Sequence, residues 1–408
     1  MLFKIHRRRV LISLTVSAAM FLLALTMGSR SLESRPTDPV SEQLALTEAA
    51  SIARGAHSYG IVQYTHFPNG PQYVIALLMK AGIQQPKSFR IVPLVFSALC
   101  VALLTFAIYF SGTNTLLSTI GVSGIGLMIF QPSFLEWMGC LYGNSYLLAL
   151  CISGFALGLT LRAPNWLLTI IGVVLGWIGY DFTFCFIGAT MTGRLLAISN
   201  KDKSMIRTLT TMLLAGLATG TGVCLAIASH LIQNALHFKS FLIAWNDLMG
   251  SAATRAGSQI GATLNPAYDQ MIQSAMLQQR NASNGTYPRQ DLLRDIWMSF
   301  SKSEWSNWSL ILDSFLALGV VIACIVARAI WRGGHCRQIA RQVFICCIGI
   351  ITAILFSNLW YILMPQHARF HFHFIQRHLF IAVLVSWLTL WHLGNSILRW
   401  EKRETTKQ

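Results

Sequence analysis

Charge is what this sequence has least of. Only 11% of its 408 residues are Asp, Glu, Lys or Arg, against about 25% in an ordinary soluble domain. Acids are scarcer still, 15 beside 31 basic residues. A chain of this length with so few charges cannot clothe a water-facing surface, so lipid has to solvate much of it. Familiar motifs are lacking too: there is no CxxC pair, no P-loop, no GxGxxG after a strand, no HExxH and no GxSxG. Thiolate zinc sites, nucleotide-driven pumping and serine hydrolysis therefore have no sequence support. Most of the nine cysteines lie inside apolar runs, where a thiol behaves as a small hydrophobe, and no disulfide framework is expected.

The net charge of +16 does not point to nucleic acid. The basic residues form short clusters between apolar runs: Lys4/Arg7/Arg8/Arg9, Lys201/Lys203/Arg207, Arg332/Arg337/Arg341 and Arg399/Lys402/Arg403. A nucleic-acid reader needs a basic stripe or stacking platform, and neither is present. The clusters read as topology signals.

Apolar residues make up 54% of the chain, and mean hydropathy is +0.54. Runs near the length needed to span a bilayer, about 17–25 residues, fall near 10–28, 91–110, 115–131, 143–161, 164–180, 181–198, 208–230, 307–331, 342–363 and 378–397. They predict an all-α polytopic membrane protein, one membrane domain over 1–408, with about ten transmembrane helices. The pair 164–180 and 181–198 also fits one long helix plus a re-entrant piece, joined at Gly179-Tyr180-Asp181. Ten spans starting inside put 17 of the 31 basic residues on cytoplasmic segments, Arg194 among them, with only Asp202, Glu401 and Glu404 against them. That bias favours both ends inside. The first run follows a basic segment, but no A-x-A-like cleavage site comes after it, so it reads as an uncleaved anchor. The expected setting is the inner membrane of a bacterium.

Two long outer loops are expected, at 29–90 and 231–306. The first has helical character over Glu42–Gly55, a stiff stretch at His66-Phe-Pro-Asn-Gly-Pro71, and an apolar run Tyr73–Ile83. That run is too short to span and suits a juxtamembrane helix lying on the outer face. The second loop is rich in Asn, Gln, Ser and Trp, with helical stretches around 266–280 and 290–303.

This ledger leaves the outer face most of the carboxylates. Asp38 and Glu42 follow the first span, Glu136 sits between the third and fourth, and Asp181 lies inside apolar sequence, where an ionisable group costs roughly 2.5–3.5 kcal/mol and faces a cavity or a partner. Each also has a plain reading, as a solvated loop charge or, for Asp181, a helix cap. His367, His371 and His378 enter the last span at spacings that share one helical face, with Arg377 flanking it. Imidazoles and a guanidinium at a membrane boundary suit a phosphate. A metal held by HxxxH and a belt touching lipid headgroups are the alternatives. His66 is a further loop candidate, though a lone loop His is more often structural.

The order of features in 30–110 resembles a known pattern. Glu48-Ala-Ala-Ser-Ile-Ala-Arg-Gly55 is followed by Tyr64-Thr-His66-Phe-Pro-Asn-Gly-Pro-Gln-Tyr73, an apolar run ending Lys80-Ala-Gly82, and Phe89-Arg90-Ile-Val-Pro93 opening the second span. This is similar to the first outer loop of GT-C fold glycosyltransferases, especially protein O-mannosyltransferase-like and lipid A aminoarabinose transferase-like members. The resemblance implies transfer of a sugar from a polyprenyl-phosphate donor to an acceptor glycan, lipid or protein at the outer face. It implies a carboxylate base at Asp38 or Glu42, a second acid at Glu136, and a donor-phosphate grip at Arg377 with His371, His378 and His367. No cofactor is certain, and a need for a divalent metal stays open. The chain departs from the pattern in three respects: many members have an adjacent Asp-Glu pair where Asp38 and Glu42 stand four residues apart, His66 is followed by Phe-Pro-Asn-Gly-Pro rather than a plain Pro-Pro, and the large C-terminal soluble domain of some members is not expected here. A transporter or lipid-linked-glycan flippase, and an O-antigen polymerase- or ligase-type enzyme, are the competing readings.

Overall fold

The computed structural model describes residues 2–32, 39–56, 68–129, 131–141, 144–161, 164–199, 204–256, 308–331, 336–364 and 372–405. No strand occurs among them. The helices are α1 (Leu2–Ser29), α2 (Pro39–Ala53), α3 (Gly70–Lys80), α4 (Pro86–Ser111), α5 (Thr115–Ile129), α6 (Pro132–Met138) and α7 (Asn144–Ala156). They continue as α8 (Asn165–Ile178), α9 (Thr183–Ser199), α10 (Met205–Phe238), α11 (Phe241–Ala256), α12 (Trp308–Trp331), α13 (Cys336–Leu363) and α14 (Phe372–Thr405). Six of them, α1, α4, α10, α12, α13 and α14, contain stretches long and apolar enough to cross a membrane. Four apolar helices, α5, α7, α8 and α9, are shorter; α8, with 14 residues, spans only about 21 Å.

These ten helices alternate in direction, and their contacts show it. Arg9 at the start of α1 and Tyr109 at the end of α4 line one cavity, so α1 and α4 run opposite ways. Gly121 and Gly124 of α5 lie beside Trp391 and Trp387 of α14, an antiparallel match. Gly154 of α7 lies beside Phe186 of α9, and Gly158, in the π-helical turn Leu157–Leu161 that follows α7, lies beside Gly193, so the two run in parallel; Gly172 beside Gly222 and Gly176 beside Ala226 make α8 and α10 parallel too. Thr192 of α9 reaches Gly349 of α13, and Arg341 reaches back to Ser199, again antiparallel. Phe315 meets Trp387 while Arg328 meets Glu401, so α12 and α14 are parallel.

The bundle consequently has two unlike ends. One gathers Arg9, Arg328, Arg341, Arg399 and Lys402. The other gathers the start of α4, helices α2, α3 and α6, the α8–α9 break and the start of α14. Glu42, Glu48 and Asp181 lie at that second, acidic end and are buried.

Packing is of the membrane type. Hydroxyls satisfy themselves on the preceding turn, as Ser13 does on Arg9 O, Ser17 on Ser13 O and Thr105 on Val101 O, which keeps polar atoms off an apolar surrounding. Small residues set the closest crossings. A Cβ on Gly172 would strike Thr219 O, and one on Gly222 would strike Thr169 O. Burial is uneven: in its apolar stretch α14 is 83% buried, whereas α12 is 17% buried.

Several expected boundaries move. Gly179 ends α8 in extended backbone and α9 starts at Thr183, so 164–198 forms two helices with a break. The span expected at 208–230 runs on to Phe238, and Phe241–Ala256, inside the expected second loop, is helix α11. The helical stretches expected at 266–280 and 290–303 lie outside the described residues. Arg194, assigned above to a cytoplasmic segment, is a buried residue of α9. All nine cysteines are free thiols.

Helix α10 starts at Ser204, whose hydroxyl accepts from the Arg207 N–H at 3.3 Å, and ends at Lys239 in the left-handed region, φ 53°. Ser240 N–H closes the turn on Ala235 O at 3.0 Å. A side chain there costs about 1 kcal/mol that glycine avoids. Lys239→Gly is expected to raise stability by about that amount, read as a higher midpoint in thermal unfolding; a lowered midpoint would show that the lysine makes a compensating contact.

Candidate functional site

Helix α2 is set against the bundle by a small apolar core of Ala49 and Ile52 from α2, Ile75 and Ala76 from α3, Phe89 from α4 and Leu141 beyond α6. Helix α3 turns Gln72, Ile75 and Ala76 inward and exposes Tyr73, Val74 and Leu77. That division suits the juxtamembrane position expected for it.

The core brings Glu42, in the first turn of α2, onto Arg90. Arg90 Nη2 donates to Glu42 Oε2 at 2.5 Å, and both side chains are largely buried. The other carboxylate oxygen, Oε1, accepts the Leu141 N–H at 3.3 Å. Both oxygens of Glu42 are therefore engaged, one by a cation of α4 and one by the connector between α6 and α7. A carboxylate held in this way is an anchor for the loop that carries it.

Helix α6, just before that connector, is held from α14. The Arg377 guanidinium lies over the Trp137 ring, a cation–π arrangement, and Phe134 stacks on Phe380 with centroids 4.7 Å apart. Trp137 and Leu141 are four residues apart, so Glu42–Arg90 and Arg377 hold one short segment. Glu136 lies on α6 beside Trp137.

His378, the next residue, makes contacts of its own. Its Nδ1 is 3.2 Å from Ser357 O on α13, and its ring packs against Phe182 and Tyr361, with centroids 4.4 and 4.9 Å away. A carbonyl oxygen only accepts, so Nδ1 carries a proton. The imidazole thus ties α14 to α13 and to the α8–α9 break. Asp181, in that break, is buried at 6% exposure.

Asp38, His66, His367 and His371 lie outside the described residues. Among the candidates that are described, Glu42 meets the connector after α6, Arg377 meets Trp137 on α6 itself, Glu136 is the chain neighbour of Trp137, and His378 contacts α13 and the α8–α9 break. Trp137, Ser357 and Tyr361 were not singled out from the sequence, and Arg90 stood there only within the motif that opens the second span, with no role given to it. Arg90 could have been given one, as a cation at the mouth of an apolar run with a carboxylate expected nearby; the others read as ordinary span residues. Among the described residues no three His, Cys, Asp or Glu side chains gather closely enough to hold a metal ion. No protein-family model matches the chain, and no curated protein and no solved structure shows significant similarity to it.

Proposed function

We propose that this chain is an integral membrane glycosyltransferase that moves a sugar from a polyprenyl-phosphate donor to an acceptor hydroxyl at the acidic end of the bundle. The observation that supports this most is that Glu42–Arg90 and Arg377 both hold the segment Trp137–Leu141 at the end of α6, which follows Glu136 in the chain. It unites a first-loop carboxylate and a cation from the start of the last helix, two groups far apart in sequence that this chemistry needs together. In this reading the ten alternating helices are ten spans, the basic end faces the cytoplasm of a bacterium with both termini inside, and the acidic end faces outward.

The reaction asks for a base at the attacking hydroxyl and a positive charge at the departing phosphate. Glu42 has both oxygens engaged, so Asp38, immediately before α2, takes the acceptor proton while Glu42 holds the loop in place. The acceptor oxygen then bonds to the anomeric carbon as the bond from that carbon to the phosphate oxygen breaks. Arg377 faces the charge that develops on the released polyprenyl phosphate. His378 supports the start of α14 from within the bundle.

Lipid analysis of membranes from a deletion strain and its complemented partner tests this directly. A polyprenyl-phosphate sugar should accumulate without the protein and return to its normal level with it. Asp38→Asn should slow transfer by about 10²–10⁴-fold and Arg377→Ala by about 10²–10³-fold, each with the protein folded. An unchanged donor pool in the deletion strain, with the protein present in the complement, would overturn the reading in favour of transport.

A further inference from the structure

The basic end carries a site of its own. A cavity of about 40 Å³ opens between α1, the end of α4 and the start of α5, lined by Arg9, Tyr109, Thr113, Asn114, Thr115 and Ser118 among others. That is room for about three water-sized groups. Its hydrogen-bonding capacity is lopsided. Asn114 Oδ1 accepts the Leu117 N–H at 3.2 Å, and Asn114 O accepts Ser118 Oγ at 3.0 Å. Thr113 Oγ1 is bonded to Asn395 Oδ1 at 2.6 Å. Thr119 donates to Thr115 O, so the Tyr109 hydroxyl donates to Thr119.

The groups left over can all donate: the Arg9 guanidinium, the Asn114 amide nitrogen and the Thr115 hydroxyl make no hydrogen bond among the described residues. No carboxylate lines the cavity. Two further cations lean on the same turn, Arg399 Nη2 on Ser111 O at 2.6 Å and Lys402 Nζ on Thr113 O at 3.4 Å. Exposed Leu11 and Leu116 are the chain neighbours of the lining residues Ile12 and Thr115, so apolar surface adjoins the polar mouth.

We infer that this cavity binds the phosphate of an anionic phospholipid headgroup, with the acyl chains lying along Leu11 and Leu116. A phosphate offers acceptors to a fork of guanidinium donors, and a basic pocket between spans at the membrane surface matches a headgroup in charge and depth. The site is at the opposite end of the bundle from the proposed transfer chemistry and does not depend on it.

The test uses the full chain purified in detergent, with dioleoylphosphatidylglycerol as the probe and retention read by native mass spectrometry. Arg9→Gln should weaken binding about tenfold, the scale of one charge-assisted hydrogen bond. Arg207→Gln, at the basic end but outside the cavity, should leave binding unchanged. Asn114→Asp keeps a good helix cap but places negative charge in the cavity, and it should abolish retention. Dioleoylphosphatidylcholine should not compete. Equal losses in Arg9→Gln and Arg207→Gln would overturn the site in favour of a general basic belt. Displacement of the lipid by millimolar inorganic phosphate would overturn the lipid assignment in favour of a soluble phosphate ester.

Discussion

Glu42→Ala should lower the stability of the detergent-solubilised protein by about 3–5 kcal/mol, the scale seen when one member of a buried ion pair is removed. The substitution takes away the carboxylate that Arg90 binds at 2.5 Å and the acceptor that holds the Leu141 N–H. Arg90→Ala should cost a similar amount. In the double variant the two losses should fall well short of their sum, because each single change already breaks the same contact. Thermal unfolding followed by tryptophan fluorescence measures all three. Additive losses would show that Glu42 and Arg90 act separately. The experiment also separates anchor from base: Glu42→Gln and Arg90→Ala both break the pair, so an anchor role gives matched losses of transfer in the two, whereas a base role makes the loss in Glu42→Gln much the larger.

The second large effect is expected deep in the bundle, where α8 crosses α10. Gly222→Leu should destabilise by about 3–4 kcal/mol or more, beyond the usual range for an overpacked core. Its new side chain would meet the backbone carbonyl of Thr169, which cannot rotate away as a side chain does. Gly172→Leu meets Thr219 O in the same manner. The control lies on the same helix: a Cβ on Gly220 meets nothing within 4 Å, so Gly220→Leu should be nearly neutral. If Gly220→Leu and Gly222→Leu behaved alike, the close crossing would not be what holds the two helices together.

The helices were legible because an apolar run of spanning length has few other solutions. Each of the ten runs coincides with a described helix, and what sequence reasoning misplaced was their ends. Helix α1 continues back to Leu2 through Lys4 and Arg7–Arg9 because Lys and Arg are good helix formers. Hydropathy marks where the apolar stretch stops; propensity decides where the helix stops. The same reason carries α10 to Phe238 and α14 to Thr405. Helix α11 was missed because Asn246, Asp247, Ser251 and Thr254 break up its apolar residues, although Phe241, Leu242, Trp245 and Met249 form an exposed apolar face. Helix α6 had a signal in Gln131-Pro132, a proline at the first helical position.

The candidate site was legible only in its charged members. A carboxylate in a chain with 15 acids stands out, and Glu42 was singled out for that reason; Arg377 was singled out as the guanidinium flanking the histidines that enter the last span. Their partners were not, because Leu141 contributes only a backbone N–H and Trp137 only a ring face, and neither role leaves a mark in composition. The face expected to be shared by His367, His371 and His378 had Arg377 only at its flank, and the different contacts of Arg377 and His378 follow from helix geometry. Adjacent residues on a helix point about 100° apart, and here that angle sends one to α6 and the other to α13.

The burial of α14 has a consequence for how the protein is made. This helix, wedged against α5, α9, α12 and α13, leaves the ribosome after every other helix described here. Until it does, Gly121, Gly124, Gly349 and Ser357 face a vacant groove, and the earlier helices wait in the bilayer as a half-closed assembly. Chains interrupted before Phe372 should therefore be inserted yet unclosed, with Cys346 open to small thiol reagents that it resists in the finished protein, and quality-control proteases should find them in that interval.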